Sequence, residues 1–165
     1  MRILFFGMPF NGAPYLKRLV EVERHKIVGI VAPETYPGSK VRSFYLWLKN
    51  FWPTVHKPGL KTQTTLEIAR AEKLPIWQKS LVDHEFSNFV SKINPDLFVI
   101  ASFSRIIKAK VISMSPLGVL NVHPSLLPKY RGADPIFWVI INGERKTGVT
   151  IHFIDEGVDT GPILA

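Results

Sequence analysis

The chain has 165 residues, 46% of them hydrophobic and 21% charged, with a formal net charge of +8. That length and balance are those of one globular domain with a sizeable core. The absence of cysteine excludes a disulfide framework, thiolate chemistry and a zinc–cysteine site, while the surplus of Lys and Arg points to an anionic partner: phosphate, nucleic acid or a polyanionic cofactor.

The chain opens on MRILFFGMPF. Its apolar run is short, broken by Gly7 and Pro9, and lacks a small-residue cleavage site, so it is no signal peptide. RILFFG is predicted to be a buried first strand. APYLKRLVEVE follows with apolar residues at helical spacing, and HKIVGIVA is a second strand. Residues 33–62 then break the rhythm, being too long for an ordinary strand-to-helix loop. Within them Val41, Phe44, Tyr45, Leu48 and Trp52 fall on one face of a helix expected over roughly 41–51. Lys40, Arg42, Lys49, Lys57 and Lys61 make the segment basic, a basic and aromatic insertion suited to a nucleic-acid or nucleotide substrate.

Beyond the insertion, TLEIARAEKL is a helix, with Thr64 and Glu67 spaced as a capping box. LPIW is a short third strand, HEFSNFVSKI a helix ended by Asn94–Pro95, DLFVIAS a fourth strand and GVLNVH a fifth. DPIFWVIING is a helix with Pro135 in its first turn and Gly143 past its end. TGVTIHFI is a sixth strand and GPILA the start of a seventh. No run reaches the ~20 apolar residues of a membrane helix, so a soluble cytoplasmic protein is expected.

Continuous apolar strands alternating with helices predict an α/β fold, a Rossmann-like, doubly wound and mostly parallel sheet. Ligands of such sheets bind at the carboxyl ends of the strands. Asn121 and His123 close the fifth strand there, on the same face because side chains alternate. An Asn amide can donate to a developing oxyanion, and a His can donate as imidazolium or take a proton. Asp159, in the Gly-punctuated loop DEGVDTG after the sixth strand, is the carboxylate that would set that choice. Asn, His and Asp without a Ser or Cys nucleophile suit direct acyl-type transfer between two bound substrates.

NVHPSLLPKYRGADPI, followed by TGVTIHFIDEGVDTGPIL, resembles the 10-formyltetrahydrofolate-dependent formyltransferase family. The resemblance runs from FFGMP to GPIL and implies the formyltransferase version of the fold, with residues 1–165 as a catalytic domain. It also implies that the domain is truncated at its C-terminal end, because family members continue past this point. It implies 10-formyltetrahydrofolate as co-substrate, a primary amine as acceptor, and no metal. Asn121, His123 and Asp159 become the catalytic residues. Phe103, Arg105, Ile106 and Ile107 of the stretch ASFSRIIKAKVI are expected to bind the folate, with Ser125 and, from the opposite loop, Ile154 and Asp155. Arg42 and Lys49 of the insertion and Pro124 of the rigid loop after His123 are expected on the acceptor side.

The first loop, GMPFNGAPYL, is similar to that of the methionyl-tRNA branch of the family. Glycinamide ribonucleotide and sugar-nucleotide acceptors, and water in a formyltetrahydrofolate hydrolase, remain open. Two readings from other classes are weaker. A dinucleotide-binding oxidoreductase, with Glu34 reading a ribose, would need the G-x-G-x-x-G that is missing after the first strand. A nucleic-acid-binding module would not need Asn121, His123 and Asp159 in one crevice.

Overall fold

The computed structural model describes residues 1–33 and 63–165. The helix expected over 41–51, with Arg42 and Lys49, lies outside the described residues. Elsewhere the order is β1 (Arg2–Gly7), α1 (Ala13–Glu21), β2 (Lys26–Val31), α2 (Thr65–Ala71), β3 (Ile76–Trp77), α3 (His84–Ile93), β4 (Leu97–Ala101), α4 (Ala109–Ile112), β5 (Val119–His123), α5 (Pro135–Ile141) and β6 (Thr150–Phe153).

The strands form one sheet in the order β3-β2-β1-β4-β5-β6. Pairing is parallel from β3 to β5. β1 explains its own apolar run: Leu4 and Phe6 pack into a cluster on one face of the sheet, Ile3 and Phe5 into a second cluster on the other. A strand covered on both faces has no polar side to show. Phe6, Phe86 and Phe98 centre the first cluster and are fully buried, each contributing about 1.5–3 kcal/mol of apolar transfer free energy.

The helix boundaries follow local chemistry. The Thr64 hydroxyl accepts from the Glu67 N–H at 3.2 Å, and the Glu67 carboxylate accepts from the Thr64 N–H at 2.7 Å. This is the capping box that the spacing predicts. α2 stops at Ala71, short of the expected Leu74, and Lys73 then turns the chain with φ +54. α3 ends on Asn94 in the left-handed region, just before Pro95.

Two features bear on the site. A one-turn helix, α4, follows residues 103–107 and ends the stretch expected to hold the folate. More consequentially, β6 runs antiparallel to β5, with His123 opposite Thr150 and Asn121 opposite His152. Residues after the 154–161 turn then come back beside β6. Ile163 bridges His152, the Phe153 N–H donates to Pro162, and the Ile151 N–H donates to Ala165. The expected seventh strand is this short antiparallel return.

Candidate active site

Antiparallel pairing sends the loop after β6 away from the carboxyl end of β5. Proximity of neighbouring strand ends therefore does not bring Asp159 to His123. Asp159 arrives because the loop folds back across the sheet. The Asp155 carboxylate drives that fold, accepting from the Gly157 N–H at 3.0 Å and the Thr160 hydroxyl at 2.6 Å. These two bonds, the Thr160 hydroxyl foremost, hold the Asp155 carboxyl below its ordinary range. Gly161 completes the turn where no other residue fits, since a Cβ there would run into the Phe153 carbonyl. Asp159 itself is left-handed, with φ +51.

Its carboxylate, 13% exposed, meets four groups. Oδ1 accepts from Asn121 Nδ2 at 3.2 Å and lies 3.3 Å from His152 Nε2. Oδ2 accepts from the Gly132 N–H at 2.8 Å and lies 3.4 Å from His123 Nδ1. The structure thus brings Asn121, His123 and Asp159 into one cluster, and adds His152.

The proton positions follow from which atoms can only accept. His152 Nδ1 faces the Phe153 carbonyl at 2.8 Å, so it carries the hydrogen. Nε2 stands 3.2 Å from Asn121 Nδ2 and 3.3 Å from Asp159 Oδ1: in the neutral ring it accepts from Asn121, and in the protonated ring it donates to Asp159. With the ring neutral, Asn121 gives one N–H to His152 and the other to Asp159. Similarly, His123 Nε2 faces the Tyr130 carbonyl at 2.8 Å and donates to it. Nδ1 is left facing the carboxylate, where a second proton on the ring finds its acceptor. His123 is 4% exposed and His152 fully buried, so these contacts work in a poorly solvated setting where charge interactions are strong.

Among the described residues six non-glycine positions are left-handed: Lys73 and Asn94 at helix ends, Ser102 after β4, Tyr130 and Asp134 in the loop after β5, and Asp159 after β6. Tyr130 and Asp159 belong to the cluster. Each left-handed non-glycine residue costs of order 1–3 kcal/mol, and such residues gather where surrounding contacts fix a functional geometry. The Leu127–Pro128 bond of the same loop is cis.

The remaining expected residues divide into two groups. Phe103 and Ile154 pack against the same core cluster, and Phe103 meets Phe6 edge-on with ring centroids 5.6 Å apart. Ile106 is 81% exposed. Arg105 reaches the Lys79 carbonyl at 3.2 Å. Arg105 and Ile106 help to line an open cavity of about 230 Å³ with Leu81, Val82, Lys108 and Val111. Among the described residues, no backbone group of 103–107 bonds to another backbone group. Unpaired amides beside apolar side chains suit a flat heteroaromatic ring with donors and acceptors on its edge.

The second group supports rather than lines. Ile107 is 7% exposed and belongs to the core. Ser125 is fully buried, and its hydroxyl donates to the Lys129 carbonyl at 2.8 Å, so what it contributes is the shape of the loop. Asp155 is exposed and engaged inside its own turn. Pro124 is half-buried at the end of β5.

His152, Tyr130 and Gly132 were not legible as site residues in the sequence. The one available signal was a histidine inside the apolar strand TIHF, and it means something only once β6 is known to pair with Asn121 in antiparallel register.

The chain is similar to known proteins in sequence and in fold. The profile of the formyl transferase family matches residues 53–165. The methionyl-tRNA formyltransferase of Clostridioides difficile (strain 630) is 36% identical over 165 residues, 99% of this chain and 48% of that protein. The methionyl-tRNA formyltransferase of Syntrophus aciditrophicus (strain SB) is 39% identical over 163 residues, 98% of this chain and 47% of that protein. The chain therefore spans about half the length of these relatives. Among solved structures, glycinamide ribonucleotide transformylase 1 from Geobacillus kaustophilus superposes with a TM-score of 0.70 at 25% identity, covering 99% of this chain and 79% of that one.

Proposed function

This chain belongs to the formyl transferase family, and on that premise we propose that it transfers a formyl group from 10-formyltetrahydrofolate to a primary amine, the acceptor being methionyl-tRNA. The observation that carries the reading is the cluster of Asn121, His123, His152 and Asp159, which contains no Ser or Cys nucleophile. A site so built favours direct attack of one bound substrate on another over a covalent enzyme intermediate. The relatives named methionyl-tRNA formyltransferase, at 36–39% identity, favour that acceptor.

The chemistry asks for two things: a donor for the charge that develops on the formyl oxygen, and a base for the proton that the attacking amine releases. Asn121 and His123 carry the N–H groups for the first. Each N–H already has an internal acceptor, so a substrate oxygen shares or displaces one of them. At His123 the substrate oxygen shares the Nε2–H with the Tyr130 carbonyl, which stays in place and keeps the ring aimed. Asp159 serves the second need, holding a proton on His123 Nδ1 and receiving the amine proton directly or through water. That proton leaves on the folate nitrogen, so the transfer consumes none.

Phe103, Ile106 and Ile154, with the backbone groups of 103–107, would hold the folate by the chemistry described above. Bound there, it supplies the formyl carbon. Residues 1–165 then act as a catalytic domain, and Arg42 and Lys49 of the basic insertion at 33–62 supply charge to draw an acceptor's phosphate. A cytoplasmic location goes with this reading. Among the described residues, no helix is long and apolar enough to cross a membrane.

The test is a product assay with 10-formyltetrahydrofolate and, in separate reactions, methionyl-tRNA, a sugar-nucleotide amine, glycinamide ribonucleotide and no acceptor. Acceptor-dependent release of tetrahydrofolate with formylated methionyl-tRNA is expected. Equal release without acceptor overturns transfer in favour of hydrolysis. Release dependent on another amine overturns the tRNA assignment.

A further inference from the structure

The His123 ring is held by a bond whose own support lies outside the cluster. Its Nε2 donates to the Tyr130 carbonyl at 2.8 Å. That carbonyl points at the ring because Tyr130 is left-handed, with φ +58, a conformation that a non-glycine residue keeps only when its surroundings impose it.

The surroundings are visible. The Tyr130 hydroxyl donates to Glu144 Oε1 at 2.9 Å, and Lys129 Nζ donates to the same oxygen at 3.1 Å. The Ser125 hydroxyl donates to the Lys129 carbonyl at 2.8 Å and lies 3.4 Å from the Tyr130 carbonyl, a longer and weaker contact. The peptide preceding Tyr130 is thus pinned from the buried side by Ser125, and the residue's side chain is pinned from the solvent side by Glu144. Glu144 lies on the connection between α5 and β6, far from His123 in sequence and touching no member of the Asn121–His152–Asp159 cluster. The Lys129 ammonium, then the Tyr130 hydroxyl, hold the Glu144 carboxyl below its ordinary range. Burial, then Glu144, push the Tyr130 hydroxyl above its own. Both shifts keep the phenol a donor and the carboxylate an acceptor.

We propose that Glu144 is a positioning residue. By holding the Tyr130 hydroxyl it fixes the Tyr130 carbonyl, which takes the Nε2 proton of His123 and so assigns Nδ1 to Asp159. The consequence for catalysis rests on the formyl-transfer reading, but the consequence for the ring does not. When the latch is released, the carbonyl can turn and the ring can exchange its nitrogens. Turnover then falls, because the fraction of molecules with the proton correctly placed falls. Folate binding at residues 103–107 is unaffected.

The test has two arms. In the first, the full chain is labelled with 15N-histidine and the His123 resonances are assigned by their loss in His123→Asn. Long-range 1H–15N spectra then report the protonation of each ring nitrogen. The unaltered chain is expected to give one pattern with Nε2 protonated. Glu144→Ala and Tyr130→Phe are expected to give an averaged or second pattern. Glu144→Gln keeps an acceptor for the phenol and restores the first.

In the second arm, Glu144→Ala and Tyr130→Phe lower kcat about 3- to 10-fold, the size of one net hydrogen bond, with the KM for folate unchanged. The double variant is no worse than the poorer single, because both break one chain of contacts. A His123 pattern unchanged in folded Glu144→Ala and Tyr130→Phe overturns the proposal, leaving Glu144 a merely structural contact whatever the melting temperature does. If no formyl transfer is found in any form, the function reading fails while the ring spectra still decide the latch.

Discussion

Replacing Asp159 by Asn removes one charge and keeps the shape, so it separates the electrostatic role of the carboxylate from its packing. The strongest bond at the position is the one from the Gly132 N–H to Oδ2, at 2.8 Å. The amide of the variant therefore places its oxygen there. Its NH₂ then occupies the site of Oδ1, facing His152 Nε2 at 3.3 Å and Asn121 Nδ2 at 3.2 Å. The first contact is acceptable, because Nε2 accepts in the neutral His152 ring. The second sets donor against donor, so Asn121 loses its acceptor and turns. The variant loses both the carboxylate charge that faces His123 Nδ1 and the alignment of Asn121. Each such term is worth about 10²–10⁴ in rate, and the turned, partly buried amide costs about 1–3 kcal/mol of stability. Single-turnover formyl transfer, with folate affinity measured by equilibrium titration, separates the two effects. We expect kcat to fall at least 10²-fold with folate affinity within a few-fold of the unaltered chain. A loss of turnover under ~10-fold, or one matched by the loss in affinity, refutes the assignment of Asp159 to transition-state charge.

Three further outcomes follow from the same contacts. His152→Ala removes a fully buried ring and the acceptor of one Asn121 N–H; denaturant unfolding should show a loss of about 2–3 kcal/mol, and kcat should fall about tenfold with folate affinity retained. Gly161→Ala drives a Cβ into the Phe153 carbonyl, so the 154–161 turn shifts and carries Asp159 with it; turnover should fall more than the melting temperature suggests, and a variant as active as the unaltered chain contradicts the fold-back account. The Asp155 carboxyl sits below its ordinary range when folded, so the stability it contributes is present above its unfolded value and is lost as pH falls through the folded one. The protection factor of the Gly157 amide, read by NMR hydrogen exchange and corrected for the intrinsic exchange rate at each pH, should therefore fall only below about pH 4, with no change between pH 5 and 8.

Much of the fold is written locally. The apolar runs of β1, β2 and β4 announce a sheet covered on both faces, and the Thr64–Glu67 spacing announces the start of α2. Gly143 past the end of α5 adopts φ +67, as a helix stop requires. What the sequence does not write is strand direction. A run such as VTIHF has the same burial in parallel or antiparallel pairing, and the connection from α5 is long enough for either. Assuming parallel pairing puts Asp159 beside His123 for the wrong reason and hides His152 altogether.

The residues that escape a sequence reading share one property: each acts through its backbone or through a register. Gly132 contributes an N–H, Tyr130 a carbonyl, and His152 a position opposite Asn121. None of these carries a residue-type signature. The strained conformations point the same way, because Ser102, Tyr130, Asp134 and Asp159 stand in the left-handed region where propensity alone would place glycine. A sequence optimised only for stability would relax these positions. Tyr130 and Asp159 keep that conformation within the cluster because contacts elsewhere hold a geometry the local sequence disfavours, and the bonds from Ser125, Glu144 and Asp155 are those contacts. Local preference and global structure disagree at the site and agree through the rest of the described sheet, which locates function at the loops and stability in the strands beneath them.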